Sequence, residues 1–479
     1  MRASEAGPAG IHDELFRPRT LSLLLNTLIL AISVAAATSV IGTAVAWCIE
    51  RCDCPGRRVW RVLASLPLAV PAFVASFAWS SIAAVFQSMA GAILILTLST
   101  YPLVYLPVAA ALRGMDPGFE DVSRSLGHGP WRTFFSAVLP QALPALGGGA
   151  LLVLSHMLAE FGALSLLRVQ TFTTAIFASY QLRFDNVSAA LQASVLLVLC
   201  LLAAYAELYM RGDTRFARVG RGSARRITLA RLGRATPFVL AGQFVLAVLA
   251  LGVPFTTLAY WLWAGRSIGR GAAELWPAIE GSLSLSISGA IVTTVLAVPL
   301  VVLAARYRGR LANFADRLPY VVHGLPGLVI ALALVFVSIR YIPPLYQTPV
   351  VLIAAYAVLA LPLAQTALRA SFDLVPVRIE EMSRSLGRNP LQTFLSVTLP
   401  NITPGLGAAL ALLVLELMRE LTATLMLAPT GMVTLATEVW SHTNNAEYAA
   451  AAPFAALLVA VSIVPVYVFT RRTLAIYDF

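Results

Sequence analysis

Residues 120–147 read EDVSRSLGHGPWRTFFSAVLPQALPALG, and residues 380–407 read EEMSRSLGRNPLQTFLSVTLPNITPGLG. The two stretches align without a gap at an offset of 260 residues and are identical at 15 of 28 positions. Unrelated stretches of such a biased composition would share only about two or three identities. This internal repeat indicates that the chain consists of two copies of one ancestral unit.

Each repeated stretch carries the punctuation of two consecutive helices. A polar segment ends at Gly127 in the first copy and at Gly387 in the second, and Pro130 and Pro390 follow three residues later. Glycine is typical just past the C-terminus of a helix, and proline is typical of the first turn of the next one. We therefore predict a short helix, a turn and a second helix that continues into a membrane span.

The composition of the chain is that of an all-α integral membrane protein. Of its 479 residues, 59% are hydrophobic and 12% are charged, and the mean hydropathy is +0.81. Ordinary globular proteins have about 45–50% and about 25%, respectively. All 34 basic residues are arginines, which excludes a Walker phosphate loop because that motif needs a lysine. ATP hydrolysis would therefore belong to another subunit. Because no Ser-His-Asp or paired-acid arrangement stands out, we also predict no catalytic residue and no enzymatic activity in this chain.

Eleven apolar stretches are long enough to cross a bilayer, which takes about 20 residues. Two of them lie between Arg61 and Arg113, where no charged residue occurs, and they turn near residues 87–91. The other nine are residues 21–47, 142–167, 188–209, 237–263, 281–305, 318–339, 349–368, 404–427 and 449–470. The prediction is a polytopic protein embedded in the lipid bilayer.

The distribution of arginine predicts the orientation of these spans, because arginine accumulates in cytoplasmic loops. If the loop after the first span is cytoplasmic, 25 of the 34 arginines lie inside. Both repeated stretches then face the cytoplasm, so the repeats are parallel. The basic stretch 211–234 could in principle bind nucleic acid, but a cytoplasmic loop that follows the orientation rule explains it better, and no nucleic-acid partner is predicted.

Two five-helix repeats and one linking helix account for the eleven spans. Five crossings leave the chain on the opposite side of the membrane, and the helix at 237–263 returns it. The predicted parts are an N-terminal tail (1–20), a first transmembrane domain (21–210, with its repeated loop at 113–141), a basic linker with the linking helix and an external loop (211–280), a second transmembrane domain (281–470, with its repeated loop at 369–400) and a cytoplasmic C-terminal tail (471–479).

The repeated loops resemble the EAA loop of the permeases of binding-protein-dependent ABC importers. An acidic residue is followed by glycine six positions later and by Leu-Pro twelve positions beyond. The usual two alanines are replaced by Val122 and Ser123 in the first copy, and by Met382 and Ser383 in the second. The loop residues implied by the resemblance are Asp121, Ser123, Arg124, Leu126, Gly127, Leu139 and Pro140, then Glu381, Ser383, Arg384, Leu386, Gly387, Leu399 and Pro400.

The resemblance implies a function and a set of partners. In this family each loop inserts into a cleft of an ATPase subunit, so two ABC ATPases would dock on the cytoplasmic side and a solute-binding protein would dock outside. ATP and Mg would be bound by the ATPases, and the chain itself would hold no cofactor. The stretches at 66–79, 159–176 and 419–440 look like the fused permeases of ferric-iron importers of the bacterial cell membrane. Thiamine and aminophosphonate permeases share much of this pattern.

Two acidic residues lie within predicted spans and 260 residues apart, at Glu160 and Glu420. Ionisable groups in spans usually face the bundle interior or an aqueous path, so both are candidates for the translocation path. A structural role is the alternative: Glu160 could contact His156, and Glu420 could pair with Arg419 or cap a broken helix. No firm metal site is predicted, because Cys48, Cys52 and Cys54 lack further ligands.

Two alternatives from other classes remain open at the level of sequence. A secondary transporter driven by an ion gradient also builds alternating access from repeats, but it has no use for a repeated surface helix. A membrane scaffold that transports nothing would tolerate disruption of both repeated glycines. The substrate, the identity of the ATPase and the binding protein, and the choice between 11 and 12 helices are not determined by the sequence.

Overall fold

The computed structural model describes residue 12 and residues 17–116, 118–210, 229–268, 272–307 and 309–475. Over this part of the chain the secondary structure is helical, and its one β-bridge joins Cys52 to Ala230. Helices suit the predicted environment, because every backbone group must find an internal partner where water is absent. Most of the predicted tail at 1–20, most of the basic loop and residues 476–479 lie outside the described residues.

Contacts divide the described chain into two units. Unit 1 contains the residues up to Ser267, Thr443–Ala452 and those from Ser462 onward, and unit 2 contains Ile268–His442 and Pro453–Val461. Up to Ser267 the helices are α1 (Pro18–Glu50), α2 (Arg57–Ser65), α3 (Ala72–Ile82), α4 (Met89–Thr100), α5 (Pro102–Gly114), α6 (Gly118–Ser125), α7 (Pro130–Thr133), α8 (Leu139–Ala159), α9 (Gly162–Leu166), α10 (Phe172–Phe177), α11 (Asn186–Met210), α12 (Thr236–Ala247) and α13 (Val253–Ala264).

The second half of the chain repeats this order. Its helices are α14 (Ala272–Arg306), α15 (Arg310–His323), α16 (Gly327–Tyr341), α17 (Pro349–Asp373), α18 (Val377–Ser385), α19 (Pro390–Thr393), α20 (Leu399–Met418), α21 (Thr422–Leu427), α22 (Leu435–Asn444) and α23 (Tyr448–Ala475). Single π-helical turns occupy Phe134–Val138, Ala178–Leu182, Val248–Gly252 and Phe394–Thr398, and short 3₁₀ turns occupy Leu66–Ala69, Ala84–Phe86, Gly233–Ala235, Gly265–Ile268 and Pro343–Leu345.

Described helices lie at all eleven predicted positions, and the all-α membrane fold is confirmed. Among the described residues, eight helical segments are long and apolar enough to cross a membrane, and the bent pair Arg57–Ala69 and Ala72–Ile82 makes a ninth if it is one span. The remaining two predicted positions hold the shorter apolar helices Gly327–Tyr341 and Tyr448–Ile463. The linking helix at 237–263 corresponds to Gly233–Ala264, one of the eight.

Several of the predicted spans are broken. The span that begins near residue 61 bends by 88° at Pro71, where the sequence predicts a kink because Pro67 and Pro71 interrupt the helix. The spans predicted at 142–167 and 404–427 end at Ala159 and Met418, and a short separate helix follows each break. These two breaks fall at charged residues, Glu160 in the first stretch and Arg419 and Glu420 in the second, which a mean hydropathy over the whole stretch does not single out.

The first helix of each half lies at the centre of its unit. In unit 1, α1 packs against α5 and α8, and in unit 2, α14 packs against α17 and α20. A polar contact at the far end of this helix is also repeated. The hydroxyl of Thr27 accepts the N–H of Phe172 at 3.2 Å, and the hydroxyl of Ser282 accepts the N–H of Leu435 at 2.7 Å. The two units therefore share packing as well as sequence.

Candidate functional site: two repeated hairpins and two helix breaks

The first hairpin consists of α6, a tight turn and the helix that starts at Pro130. Gly127 has a φ of 79°, in the left-handed region that favours glycine. Its N–H donates to the carbonyl of Arg124 at 2.9 Å, and the N–H of His128 donates to the carbonyl of Ser123 at 3.2 Å. These two bonds define a Schellman turn, which satisfies the last carbonyls of the short helix.

The second hairpin has the same turn after α18. Gly387 has a φ of 85° and donates to the carbonyl of Arg384 at 3.0 Å, and Arg388 donates to the carbonyl of Ser383 at 3.4 Å. The predicted succession of short helix, glycine turn and second helix is therefore confirmed in both copies.

Two of the candidate loop residues lie inside the hairpins rather than on their surface. Ser123 and Ser383 are buried, and their hydroxyls contact those of Thr133 and Thr393 at 3.2 and 3.1 Å. This contact ties the short helix to the beginning of the second helix. The serines therefore determine the shape of the hairpin and are not available to contact a partner.

The Leu-Pro pair follows an irregular turn of the second helix. The π-helical turns Phe134–Val138 and Phe394–Thr398 end immediately before Leu139–Pro140 and Leu399–Pro400, and the N–H of Leu139 donates to the carbonyl of Phe134, five residues earlier. A proline ring inside a helix clashes with the carbonyl four residues before it. A wider turn at this point gives the ring room, and it is present before the Leu-Pro pair of both hairpins.

The outer face of both short helices is apolar and exposed. The side chains on it are Phe119, Val122 and Leu126 in the first hairpin, and Ile379, Met382 and Leu386 in the second. Their spacing of three and four residues places them on one side of a helix. The exposed fraction is 70% for Leu126 and 81% for Leu386. Asp121 is half-buried and Glu381 is exposed.

A buried arginine connects the first hairpin to the first helix. Arg51 follows the last residue of α1 and is 1% exposed. Its Nη1 lies 2.7 Å from Oε1 of Glu120, and its Nη2 donates to the carbonyl of Leu112 at 2.5 Å. The other carboxylate oxygen of Glu120 accepts from Arg124 at 3.2 Å. One guanidinium thus contacts α5 and α6 from the end of α1.

The second hairpin has an equivalent arginine, Arg306, at the end of α14. Its Nε lies 3.1 Å from both carboxylate oxygens of Glu380, and its Nη2 donates to the carbonyls of Phe372 and Val375 at 3.2 and 3.1 Å. The hydroxyl of Thr398 donates to Glu380 at 3.0 Å. We call these two arrangements, centred on Arg51 and Arg306, the arginine joints.

Sequence reasoning missed the arginine joints. It selected Asp121 and Glu381 as the acidic residues of the loops, whereas the buried carboxylates are one residue earlier. A signal was present, since both copies have two consecutive acidic residues and an arginine at the end of the first helix. The arginines are 255 residues apart and the loops are 260 apart, so a comparison at one fixed offset does not align them.

At the first helix break, Glu160 serves a capping role. Its Oε1 accepts the N–H of Ala163 at 2.9 Å, which satisfies a free donor at the start of α9. Its Oε2 lies 3.7 Å from Nε2 of His156, and its backbone carbonyl accepts from Thr173 at 2.7 Å. The contact with His156 is the one that the sequence offered as the structural alternative.

Glu420 occupies the equivalent place in unit 2. Its Oε1 accepts the N–H of Ala423 at 3.0 Å, at the start of α21, and its carbonyl accepts from Thr424 at 2.6 Å. Arg419 forms an ion pair with Glu416. Both carboxylates therefore stabilise the restart of a broken helix, and Glu420 adopts the capping arrangement that was one of its two structural alternatives.

Neither the cysteines nor the other ligand types form a metal centre in the part of the chain that the structure describes. No group of three or more His, Cys, Asp or Glu side chains there could hold an ion. Burial raises the pKa of the Cys52 thiol to about 12, so this thiol stays protonated at neutral pH. A protonated thiol is a poor metal ligand and a poor nucleophile.

Comparison with known proteins places both halves in one family. The sequence model of one family, the binding-protein-dependent transport system inner membrane component, matches residues 40–210 and again residues 297–476. The Fe(3+)-transport system permease protein FbpB 2 of Haemophilus influenzae is 44% identical over 474 residues, which cover 98% of this chain and 94% of that protein.

More distant relatives cover less of the chain. The molybdenum transport system permease protein ModB of Escherichia coli is 32% identical over 139 residues, or 26% of this chain and 60% of that protein. The sulfate transport system permease protein CysT of Escherichia coli is 26% identical over 223 residues, or 42% of this chain and 80% of that protein.

The family decides between the alternatives that the sequence left open. Its members are permeases of ATP-driven import, which excludes a carrier driven by an ion gradient and a scaffold that transports nothing. They are multi-pass components of the inner membrane and are not enzymes. The chain belongs to the family of binding-protein-dependent transport system inner membrane components, with two permease halves in one polypeptide that works with an ABC ATPase and a solute-binding protein.

Proposed function

We propose that this permease forms the translocation path of a ferric-iron importer. The observation that carries the proposal is the similarity to a Fe(3+)-transport permease over nearly the full length of both chains. The relatives named for molybdenum and sulfate match less than half of this chain. Thiamine, an aminophosphonate or another small solute is the alternative substrate, because selectivity in such systems depends largely on the external binding protein.

Each hairpin docks one ATPase subunit. The exposed apolar faces around Leu126 and Leu386 support this assignment, since exposed apolar patches mark sites of protein interaction. Two hairpins of the same construction imply two ATPases, which hold ATP and Mg. Closure of the ATPases draws the hairpins together, and the helices then change the side of the membrane to which the path is open.

Uptake into proteoliposomes tests the substrate. The permease is reconstituted with its ATPase inside and an iron-loaded binding protein outside, and radioactive ferric iron is followed. We expect uptake that requires ATP and that an excess of thiamine, aminophosphonate, molybdate or sulfate does not reduce. Uptake of one of these solutes in place of iron would contradict the assignment to iron. Iron uptake without the ATPase would contradict the coupling.

The two acidic residues at the helix breaks allow a separate prediction. In Glu160→Gln and Glu420→Gln the remaining side-chain oxygen still accepts the N–H of Ala163 or Ala423, so we expect uptake within about twofold of the unaltered protein. In Glu160→Ala and Glu420→Ala that acceptor is lost, which costs about 0.5–2 kcal/mol of stability by analogy with other helix caps. Thermal unfolding and initial uptake rates measure both effects.

The same variants distinguish capping from a role in the path. If the negative charge contacts the moving cation, the glutamine variants lose uptake while their unfolding temperature stays the same. Such a result would assign Glu160 and Glu420 to the translocation path, as their position within predicted spans allows, and would show that capping is not their main role.

A further inference from the structure

We propose that the two arginine joints are positioning groups that make each hairpin move together with the two spanning helices that the arginine contacts, α1 and α5 in unit 1 and α14 and α17 in unit 2. The inference rests on the proposed docking of the ATPases at the hairpins. It adds four residues, which are Arg51 and Glu120 in unit 1 and Arg306 and Glu380 in unit 2.

The short helices have almost no other attachment. In α6 and α18, all of whose residues are described, the buried side chains are one glutamate and one serine each: Glu120 and Ser123, then Glu380 and Ser383. The serine hydroxyls contact residues of their own hairpin, which are His128 and Thr133 for Ser123 and Thr393 for Ser383. The glutamate is therefore the side chain through which each short helix is fixed to the first helix of its half.

A buried ion pair adds little net stability to the contact between two helices. Removing both charges from water costs nearly as much as their attraction returns, and well-packed apolar side chains often give equal or greater stability. What a buried ion pair supplies is a defined geometry, because the contact is lost if either partner shifts by a few ångströms. Apolar contacts, by contrast, tolerate sliding. With Arg51 at 1% exposure, this pair is suited to fixing the position of the short helix rather than to adding stability.

Each arginine also fixes a third element. Arg51 donates to Leu112 near the end of α5, and Arg306 donates to Phe372 and Val375 at the end of α17. These are the helices that lead into the hairpins, and a cation at a helix C-terminus is favourable. A push on the short helix is thus passed at one point to the two spanning helices that meet there.

The two joints reach this result with different geometry. Arg51 uses one nitrogen for Glu120, and Arg306 uses its Nε against both oxygens of Glu380. Glu120 is supported by Arg124, whereas Glu380 is supported by Thr398. The three connected elements are nevertheless the same in both halves. Preservation of the connection, despite divergence of its details, indicates that the connection itself is required.

The test separates coupling from assembly. The variant Arg306→Met with Glu380→Met removes both charges, so no buried charge is left without a partner, and Glu380→Gln with Glu120→Gln serves as a second variant. In proteoliposomes containing the complete transporter, four quantities are measured: unfolding temperature, ATPase bound per permease, ATP hydrolysed and solute taken up. We expect binding of the ATPase within twofold of the unaltered protein and at least a tenfold fall in uptake per ATP hydrolysed.

Controls make the outcome decisive. Glu438→Gln removes a carboxylate that lies 3.2 Å from His442, outside the hairpins, and should leave uptake per ATP unchanged. Arg306→Lys keeps the charge and should restore part of the coupling that the methionine pair loses. Unchanged uptake per ATP in an assembled methionine variant would overturn the proposal. Loss of ATPase binding in every joint variant would also overturn it, since the exposed docking face is unaltered.

Failure of the proposed docking would look different. In that case, changes to the exposed leucines of the hairpins would leave ATPase binding intact in a protein whose joints are unaltered. The two proposals can therefore fail independently.

Discussion

Replacing Leu126 and Leu386 together by aspartate is expected to abolish ATP-dependent uptake. Both side chains are mostly exposed, so the substitution removes no contact from the permease itself. Burying a leucine in an interface contributes about 1.5–3 kcal/mol, and about 1.4 kcal/mol corresponds to a tenfold change in affinity. A buried aspartate adds a desolvation cost, so we expect at least a 100-fold loss of ATPase affinity at each hairpin.

Co-purification of the ATPase and uptake of the solute measure this effect. Leu182→Asp is the matched control, because Leu182 is 73% exposed and lies outside both hairpins. We expect the control to bind the ATPase normally. If the double variant also binds the ATPase normally and transports solute, the hairpins are not the docking sites.

The second large effect is expected from the variant with Gly127→Ala and Gly387→Ala. A Cβ at either position meets no atom within 4 Å, so the cost arises from the backbone alone. A residue other than glycine in the left-handed region loses about 1–2 kcal/mol, or about a factor of 5–30 in the population of the turn. With both turns affected, we expect uptake to fall at least tenfold.

The neighbouring Gly129 supplies the control for this prediction. A Cβ added at Gly129 would also meet no atom within 4 Å, and the φ of Gly129 is not in the left-handed region. Gly129→Ala should therefore transport normally. Replacement of Gly127 and Gly387 by asparagine, which tolerates the left-handed region, should give an intermediate loss. Equal rates for the Gly127, Gly387 and Gly129 variants would show that the Schellman turns do not matter for transport.

The local features of the hairpins were readable because each depends on residues close together in the chain. A glycine after a polar helical segment predicts the end of that helix, and a proline three residues later predicts the start of the next one. The role of Ser123 was not readable in the same way. The sequence could not show whether its hydroxyl faces a partner or Thr133, because that depends on how the two helices of the hairpin fold back on each other.

The helix breaks show where hydropathy ceases to be informative. The stretches at 142–167 and 404–427 are mostly apolar, and their hydropathy predicted one span for each. The break at Glu160 is stabilised by its contact with Ala163 and by Thr173, which donates to its backbone carbonyl from a later segment. Because Thr173 satisfies a backbone carbonyl that the break leaves without a helical partner, the break costs less free energy. The hydropathy of the stretch itself contains no information about this donor.

The sequence alone determined that the protein is a duplicated membrane permease with two equivalent hairpins. Composition, charge asymmetry and an internal repeat each depend on many residues, so the conclusion does not change if any one residue is misinterpreted. Only the tertiary structure decided which acidic residue of each hairpin is buried and which arginine it meets. Arg51 and Glu120 are 69 positions apart, and Arg306 and Glu380 are 74 apart. Such pairings are created by helix packing, because burial selects a partner by distance in space and not by distance along the chain.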